Sequence, residues 1–313
     1  MTRLMTHVLA LFGICGILGS LAGSGSNGKG FPSATAAANA LVEAAKSDNT
    51  AQLISILGPL SKDIVSTGDA SADQKVRREF IAKTSQRMKL ISRRGQPNEM
   101  TLVAGDDNWP LPIPLVQIGG KWYFDMARGR KTILMRRIGS NELDAIEVCR
   151  GYVEAQNQYV ANHRTAHGVP YYAQKIISSP GERDGLYWGG NGQDASPIGE
   201  IIARAIDAGQ TNRGGPYHGY YFRVLTSERH PHTATPVDYV HDGYMTGGFG
   251  LAAWPAQYNT TGIMTFLVSR SGIVYQKNLG YQTSKVMSRL TTYDSDSSWT
   301  PVSTHVAALQ NIK

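Results

Sequence analysis

The chain has 313 residues, of which 41% are hydrophobic and 18% are charged, and its 31 Lys and Arg against 24 Asp and Glu give a net charge of +7. A disordered chain would be poorer in apolar residues and richer in charge, so this composition favours a folded protein that buries a sizeable core. Two cysteines exclude a disulfide scaffold. The 34 Gly and 14 Pro indicate many turns and therefore a fold that contains strands.

The N-terminus has the pattern of a secretory signal. A weakly basic start precedes an apolar run from Val8 to Leu21, and Ser20-Leu21-Ala22 offers the small residues at which signal peptidase cleaves. The run is too short to span a bilayer comfortably. We therefore predict a signal peptide over residues 1–22 and a periplasmic or extracellular protein without a stable transmembrane anchor after cleavage. The alternative is an uncleaved anchor. Residues 23–32, rich in Gly and Ser, are typical of a flexible tether.

The charge is distributed unevenly along the chain. Residues 62–138 carry 15 Lys and Arg against 8 Asp and Glu, a net of +7, whereas residues 139–313 carry 13 against 14, a net of −1. Segments of such different character favour two domains. We predict a basic α+β domain at residues 33–139, a second domain at residues 140–292 and a polar C-terminal tail at residues 293–313.

The first domain is predicted to contain helices followed by strands. The predicted helices are Ala34–Lys46, Ala51–Leu57 and Ser71–Ile91, the last with Lys and Arg opposite an apolar face. The predicted strands are Met100–Ala104, Ile113–Ile118 and Lys121–Met126, the last two joined by the hairpin signal Gly119-Gly120. This order of helices and a curled antiparallel sheet resembles the cystatin-like and NTF2-like (nuclear-transport-factor-like) folds.

The second domain is predicted to contain one long helix and then strands. A short basic helix, Arg128–Arg137, ends at Gly139, and Asn141 caps a helix that continues to residue 166. Two shorter helices follow, Tyr171–Ile177 and, after Ser196, Pro197–Ala208. The predicted strands are Tyr220–Thr226, Asp238–His241, Phe249–Trp254, Ile263–Ser269 and Ile273–Lys277. A long helix packed on an antiparallel meander resembles the head of a type IV pilin or pseudopilin, although the prepilin leader is missing.

Four segments carry a resemblance that covers nearly all of the chain after the predicted signal. They are Asp107–Pro114, Pro180–Trp188, His218–Phe222 and Trp254–Tyr258. Together they resemble a bacterial family of exported proteins, the domain of unknown function (DUF) 2950 family. The resemblance implies export and supplies no activity, cofactor or catalytic residue.

The densest group of potential metal ligands is His230, His232 and His241 with Asp238 and Asp242. A His-x-His pair places two imidazoles on one side of an extended segment, and a third His with a carboxylate would complete a zinc-like set. The spacing matches no strong metal motif, however, and the segment is rich in Pro and Thr. We interpret these residues as solvated, and we predict no metal and no cofactor.

Other candidate residues also have simpler structural interpretations. Glu182 and Asp184 form either an acid/base pair or a calcium site, but beside Gly185 they are more typical of a turn. The acidic run at residues 294–298 lacks the Gly and closing Glu of an EF-hand. Cys149 lies on the apolar face of its helix and is expected to be an inert packing residue. The sequence contains no nucleophile motif, P-loop or dinucleotide fingerprint, so no catalytic residue is predicted.

The basic residues of the first domain suggest a possible partner. They include Arg77-Arg78, Arg93-Arg94, Arg128, Arg130, Lys131 and Arg136-Arg137. Paired arginines usually form a solvated helix face, and an exported protein rarely meets nucleic acid. We therefore predict an exported, non-enzymatic binding or assembly module of the cell envelope, with an envelope protein or an anionic polymer as partner. The alternative is a periplasmic hydrolase or metal-dependent enzyme with a site built from loops in residues 170–245.

The signal-peptide prediction can be tested by N-terminal sequencing. Cleavage after Ala22 should give a mature chain that begins at Gly23 in the envelope or secreted fraction. The variant Ala22→Arg places a large charge where a small residue is needed and should leave the precursor uncut. Wild-type protein that keeps Met1 in the membrane fraction would contradict the prediction.

Overall fold

The computed structural model describes residues 28–68, 70–189, 195–211, 215–229 and 235–303. Its contacts divide the chain into two compact units, residues 1–136 and 137–313. Both units contain helices and antiparallel sheets, which confirms the predicted α+β class. The predicted signal peptide lies outside the described residues, and within them no helix is long and apolar enough to cross a membrane.

The first unit begins with four helices, of which the sequence predicts the limits of the first two closely and does not predict the third. They are α1 (Ala34–Lys46), α2 (Thr50–Leu57), α3 (Lys62–Val65) and α4 (Ala70–Gln86). The N-cap of α1 is Ser33, whose Oγ accepts a hydrogen bond from the amide of Ala36 at 3.1 Å. This bond satisfies one of the amides that have no partner in the first turn of a helix.

The strands of the first unit form one antiparallel sheet. They are β1 (Met88–Arg93), β2 (Gln96–Ala104), β3 (Trp109–Pro110), β4 (Leu115–Ile118) and β5 (Lys121–Phe124). The order is β1-β2-β4-β5, and β3 pairs with β2. The predicted helix Ser71–Ile91 is therefore too long, because β1 pairs with β2 instead of extending α4. Alternate residues of β1, Met88 and Leu90, are half-buried, which is the two-residue period of a strand.

The core of the first unit includes a residue from the segment predicted to be a tether. Phe31 is buried in that core and exchanges two backbone hydrogen bonds with Trp122, of 2.9 and 2.8 Å. A Cβ at Gly28 would lie 2.1 Å from the carbonyl oxygen of Ile56. Residues 28–32 therefore belong to the fold rather than to a tether.

One continuous helix, α5 (Met126–Asn162), replaces the two helices predicted on either side of Gly139. A glycine inside a helix costs about 1 kcal/mol relative to alanine, which a helix of this length tolerates. Asn141 and Glu142 do not start a helix. Their side chains instead hydrogen-bond the backbone of residues 261–264 at distances of 2.8–3.0 Å. Asn141 and Glu142, which match the pattern of a helix N-terminus, thus fix the loop at residues 261–264 by hydrogen bonds.

The second unit contains one large sheet and several short strands. The large sheet is formed by β8 (Tyr220–Leu225), β13 (Gly250–Pro255), β14 (Thr265–Ser269), β15 (Tyr275–Lys277) and β17 (Thr300–Pro301). It is antiparallel, in the order β17-β15-β14-β13-β8. The short strands are β6 (Lys175–Ile177), β7 (Gly185–Tyr187), β9 (Ser227–Glu228), β10 (Val237–Asp238), β11 (Val240–His241), β12 (Tyr244–Met245) and β16 (Thr292–Tyr293). The helices are α6 (Glu200–Thr211) and α7 (Thr283–Met287).

The central strands of the large sheet, β13 and β14, are buried on both faces. Leu251 and Ala253 of β13 belong to the same core as the buried residues of α5, whereas Ala252 and Trp254 belong to a second core with Met287 of α7. All six residues of β13 are buried. Because β16 pairs with β9 and β17 pairs with β15, the first part of the segment predicted to be a polar tail, residues 293–313, is part of the fold.

Residues 171–174 are extended, not helical as predicted, because a buried glutamine holds them. Gln156 of α5 is 0% exposed, and its Nε2 donates to the carbonyl of Ala173 at 2.8 Å while its Oε1 accepts from the amide of Ala173 at 2.9 Å. The same Nε2 donates to the hydroxyl of Tyr152 at 3.1 Å. The side-chain amide therefore pairs with both backbone groups of Ala173, as a neighbouring strand would. A helix in this segment would use those groups within itself.

We expect Gln156→Leu to destabilise the protein strongly. The change leaves the amide and carbonyl of Ala173 buried without partners, and each such group costs about 1–3 kcal/mol. The free energy of unfolding should fall by on the order of 3 kcal/mol, measured by urea denaturation. Gln158→Leu is the matched control, since Gln158 is exposed on the same helix. Equal stability of the two variants would show that the bonds of Gln156 contribute nothing.

Candidate functional site

The second unit has an open cleft lined mainly by tyrosine and charged side chains. Its volume is about 510 Å³. It is lined by Tyr159, Tyr171, Tyr172, Gln174, Lys175, Glu182, Arg183, Asp184, Gly243 and Tyr244. We call it the tyrosine cleft. Concave sites with aromatic walls and a few polar groups are the usual form of a binding site.

Three separate segments position the tyrosines of this cleft. Tyr159 projects from α5 and is buried, at 3% exposure. Tyr171 and Tyr172 precede Ala173, which Gln156 holds, and the amide of Tyr172 also donates to the carbonyl of Met245 at 2.9 Å. Tyr244 follows a tight turn in which Asp242 and Gly243 have φ of 50° and 81°. The turn joins β11 to β12, and Gln174 donates to the carbonyl of Gly243 at 2.7 Å.

Aromatic rings contact each other along one wall of the tyrosine cleft. The rings of Tyr159 and His163 are stacked, with centroids 3.6 Å apart and planes at 3°. Tyr171 lies edge-on to Tyr159 at 6.1 Å, and Tyr244 lies 5.0 Å from Tyr171. Edge-on and tilted pairs such as those of Tyr171 are favourable, and they pack the rings of this wall against one another.

The hydroxyl of Tyr159 stays protonated at physiological pH. Burial raises its pKa well above the usual value, and the neighbouring hydroxyl of Tyr171 and the negative charge of Asp184 raise it further. A neutral tyrosine hydroxyl can both donate and accept a hydrogen bond.

Both carboxylate oxygens of Asp184 accept hydrogen bonds from residues of β6 and of the loop between β6 and β7. The ammonium group of Lys175 contacts its carboxylate, and the amide and hydroxyl of Ser179 donate to it at 2.8 and 3.0 Å. These contacts, with Lys175 the strongest, lower the pKa of Asp184 to about 2. A carboxylate with so low a pKa is a poor general base or acid near neutral pH. The geometry therefore does not place Asp184 in an acid/base pair. The turn of this loop lies at residues 179–182, where the amide of Glu182 donates to the carbonyl of Ser179 at 2.9 Å, and not at Asp184-Gly185 as predicted, because Gly185 begins β7.

A second, smaller cleft adjoins the first. It has a volume of about 350 Å³ and is lined by Ile177, Ser178, Ser179, Pro180, Gly181, Glu182, Arg183, Tyr187 and Trp188. We call it the tryptophan cleft. Glu182 and Arg183 line both clefts, so the two lie side by side. The guanidinium of Arg183 lies over the ring of Trp188, 5.4 Å from its centroid.

Ser196 supports the tryptophan cleft instead of capping a helix. Its Oγ accepts a hydrogen bond from the amide of Trp188 at 2.8 Å and donates to the carbonyl of Gly189 at 2.9 Å. The helix predicted to start at Pro197 accordingly starts three residues later, at Glu200. A residue typical of helix caps is used here to fix the backbone that carries an aromatic side chain.

The predicted metal candidates are only partly within the described residues. His230 and His232 lie outside them. Asp238 and His241 are exposed, on β10 and β11. Among the residues that the structure describes, no three His, Cys, Asp or Glu side chains are grouped so that they could hold a metal ion.

The other single candidates have structural partners. Asp294 forms an ion pair with Arg229 at 3.0 Å, and Asp296 accepts hydrogen bonds from the amide and hydroxyl of Ser298. Cys149 is 0% exposed, and burial raises the pKa of its thiol to about 12. Such a thiol is protonated and inaccessible, as expected for a packing residue.

Several arginines of the basic first unit are neutralised within that unit. Arg77 contacts Asp48 and Arg130 contacts Asp63. Both Arg93 and Arg128 pair with the buried Glu99, at 3.3 and 2.8 Å. Arg136 lies over the ring of Trp109, 5.7 Å from its centroid. Four of these arginines therefore have carboxylate partners within the same unit.

The tyrosines of the cleft are functional candidates that the sequence analysis does not single out. They come from positions 159, 171, 172 and 244, and the chain has 15 tyrosines in all, so composition gives no signal. The available signal is the dipeptide Tyr171-Tyr172 beside Pro170, in a segment predicted to be helical. Apart from Tyr159, which belongs to α5, the residues that line the two clefts lie within residues 170–245, the region predicted for a loop-built site.

The pKa of Asp184 leads to a prediction about acid stability. Because its folded-state pKa is depressed, its contribution is present above the unfolded value of 3.8 and is lost as pH falls towards about 2. Asp184→Asn should lower the free energy of unfolding at pH 7 by about 1 kcal/mol or less, since the ion pair is exposed. The difference from wild type should shrink below pH 4, measured by denaturation at several pH values. Glu182→Gln, an exposed neighbour, is the control, and an equal effect of both variants would contradict the assignment.

Comparison with known proteins gives one match. A family model described as a protein of unknown function (DUF2950) matches residues 28–302, nearly the whole chain. No curated protein and no solved structure matches it, so the cystatin-like, NTF2-like and pilin-like resemblances stay predictions. The segment Pro180–Trp188, one of the four that carry the family resemblance, lies along both clefts. The chain belongs to the DUF2950 family.

Proposed function

We propose that this protein is an exported binding module of the cell envelope whose ligand, part of an envelope polymer, occupies the tyrosine cleft. The observation that carries the proposal is the cleft itself, a concave surface of about 510 Å³ with four tyrosines and four charged residues. Tyrosine provides a large contact area and a polar hydroxyl at a low cost in conformational entropy. This makes tyrosine-rich clefts well suited to recognition.

The state of the charged residues favours binding over hydrolysis. A hydrolase needs a carboxylate or another group whose pKa lies near the working pH. Asp184 is ionised far below neutral pH and bound to Lys175 and Ser179. Its neighbour Glu182 is exposed. The tyrosine hydroxyls, with the amide of Gln174, provide hydrogen-bonding groups without a reactive one.

Export rests on the N-terminal sequence. The apolar run Val8–Leu21 and the small residues around Ala22 support cleavage and release into the periplasm or the medium. In that compartment the abundant extended ligands are the polymers of the cell wall. The proposal therefore places the ligand outside the cytoplasm and gives no role to nucleic acid.

The test is co-sedimentation of the purified mature protein with isolated cell-wall sacculi. The wild-type protein should sediment with the sacculi, and Tyr244→Ala should reduce the bound fraction about tenfold, the loss expected for an aromatic contact worth about 1.4 kcal/mol. Tyr244 is 37% exposed and its ring lies 5.0 Å from that of Tyr171, so the melting temperature of the variant is measured beside its binding to separate lost contact with the ligand from lost packing. Tyr281→Ala is the matched control, because Tyr281 is 84% exposed and lines neither cleft.

Two outcomes would contradict the proposal. Wild-type protein that stays in the supernatant does not bind the wall polymer. Equal binding by Tyr244→Ala and by wild type would mean that any association uses another surface.

A further inference from the structure

We propose that the tyrosine and tryptophan clefts are adjacent subsites for one uncharged glycan chain. This inference rests on the proposed function, because it uses the tyrosine cleft as a binding site. It goes further in naming the chemical class of the ligand and in extending the site to a second cleft.

The first argument is the adjacency of the clefts. Both are lined by Glu182 and Arg183, so a ligand that fills one ends beside the other. Each has its own aromatic surface, the tyrosines on one side and Tyr187 with Trp188 on the other. Their volumes, about 510 and 350 Å³, are at the lower end of the range for small-molecule sites. Two small open aromatic sites in a row suit a chain of repeating rings better than one compact molecule.

The second argument is the pairing of aromatic rings with hydroxyl-binding groups. A pyranose ring has C–H groups on its faces and hydroxyls around its edge. The negative face of an aromatic ring attracts such C–H groups. Around the rings lie side chains that donate to or accept from hydroxyls: Gln174, Lys175, Glu182, Arg183 and the tyrosine hydroxyls. Both surfaces of a sugar therefore find a partner in the same cleft.

The third argument is charge. The tyrosine cleft contains two cationic residues, Lys175 and Arg183, and two carboxylates, Glu182 and Asp184, so its formal charge is zero. Lys175 is also bound to Asp184 and to the hydroxyl of Ser179. A polyanion would be repelled by the carboxylates and would find one cation already neutralised. The charges therefore favour a neutral, hydroxyl-rich ligand over an acidic polymer or a nucleic acid.

The packing of the clefts supports a preformed site. The tyrosine wall is held by ring stacking and by Gln156, and the backbone of Trp188 is held by Ser196. Arg183 already lies over Trp188. Little ordering is needed when a ligand arrives, and this limits the entropic cost of binding.

The experiment is isothermal titration calorimetry of the mature protein with oligomers of N-acetylglucosamine, from monomer to hexamer. Because two subsites must be spanned, affinity should rise at least tenfold from the dimer to the hexamer. Trp188→Ala should bring the hexamer back to roughly the affinity of the dimer. Trp299→Ala is the matched control, since Lys277 lies over Trp299 as Arg183 lies over Trp188, 5.6 Å from the ring centroid, and Trp299 lines neither cleft.

The possible outcomes separate this inference from the proposed function. Binding to sacculi without binding to any oligomer would overturn the glycan assignment and leave the proposed function standing. If the protein bound neither sacculi nor oligomers, the proposed function and the glycan assignment would both be contradicted. Affinity of wild type that does not depend on oligomer length would overturn the two-subsite part, even where Trp188→Ala fails to fold. Tighter binding to heparin, used as an acidic polymer, would overturn the preference for an uncharged chain.

Discussion

The candidate site depends on one buried side-chain amide. Gln156 contacts the amide and the carbonyl of Ala173 and so fixes an extended segment against α5. Burying an amide without partners is costly, so the glutamine and the backbone groups of Ala173 require each other. Because Tyr171 and Tyr172 directly precede Ala173, the same bonds determine where two of the four tyrosines lie.

The ion pair between Lys175 and Asp184 has a structural role in the clefts. Lys175 and Asp184 fix the turn between β6 and β7, and this turn carries Glu182 and Arg183 between the two clefts. The low pKa of Asp184 is a consequence of these bonds, so it marks a rigid turn rather than a reactive group.

Much of the fold follows from local sequence signals. The caps, the Gly and Pro positions and the apolar periods predict α1, α2 and the hairpin of β4 and β5, as well as the main strands of the second unit. The errors occur where long-range contacts override those signals. Residues 88–93 pair with β2 and so form a strand instead of extending α4. Asn141 and Glu142 hydrogen-bond the loop at residues 261–264 instead of starting a helix. Gln156 hydrogen-bonds Ala173, and residues 171–174 are therefore not helical. The tyrosine cleft was unpredictable for the same reason, because its residues meet only through these contacts.

The central claim is that the tyrosines ordered through Gln156 and the adjoining turn form the ligand site. Hydrogen exchange of the mature protein, with and without the N-acetylglucosamine hexamer, tests it most directly. The account predicts slower exchange on binding in residues 171–174, 182–188 and 243–245, and no comparable change elsewhere. Protection confined to the basic first unit, or to the sheet edge at β17, would contradict it.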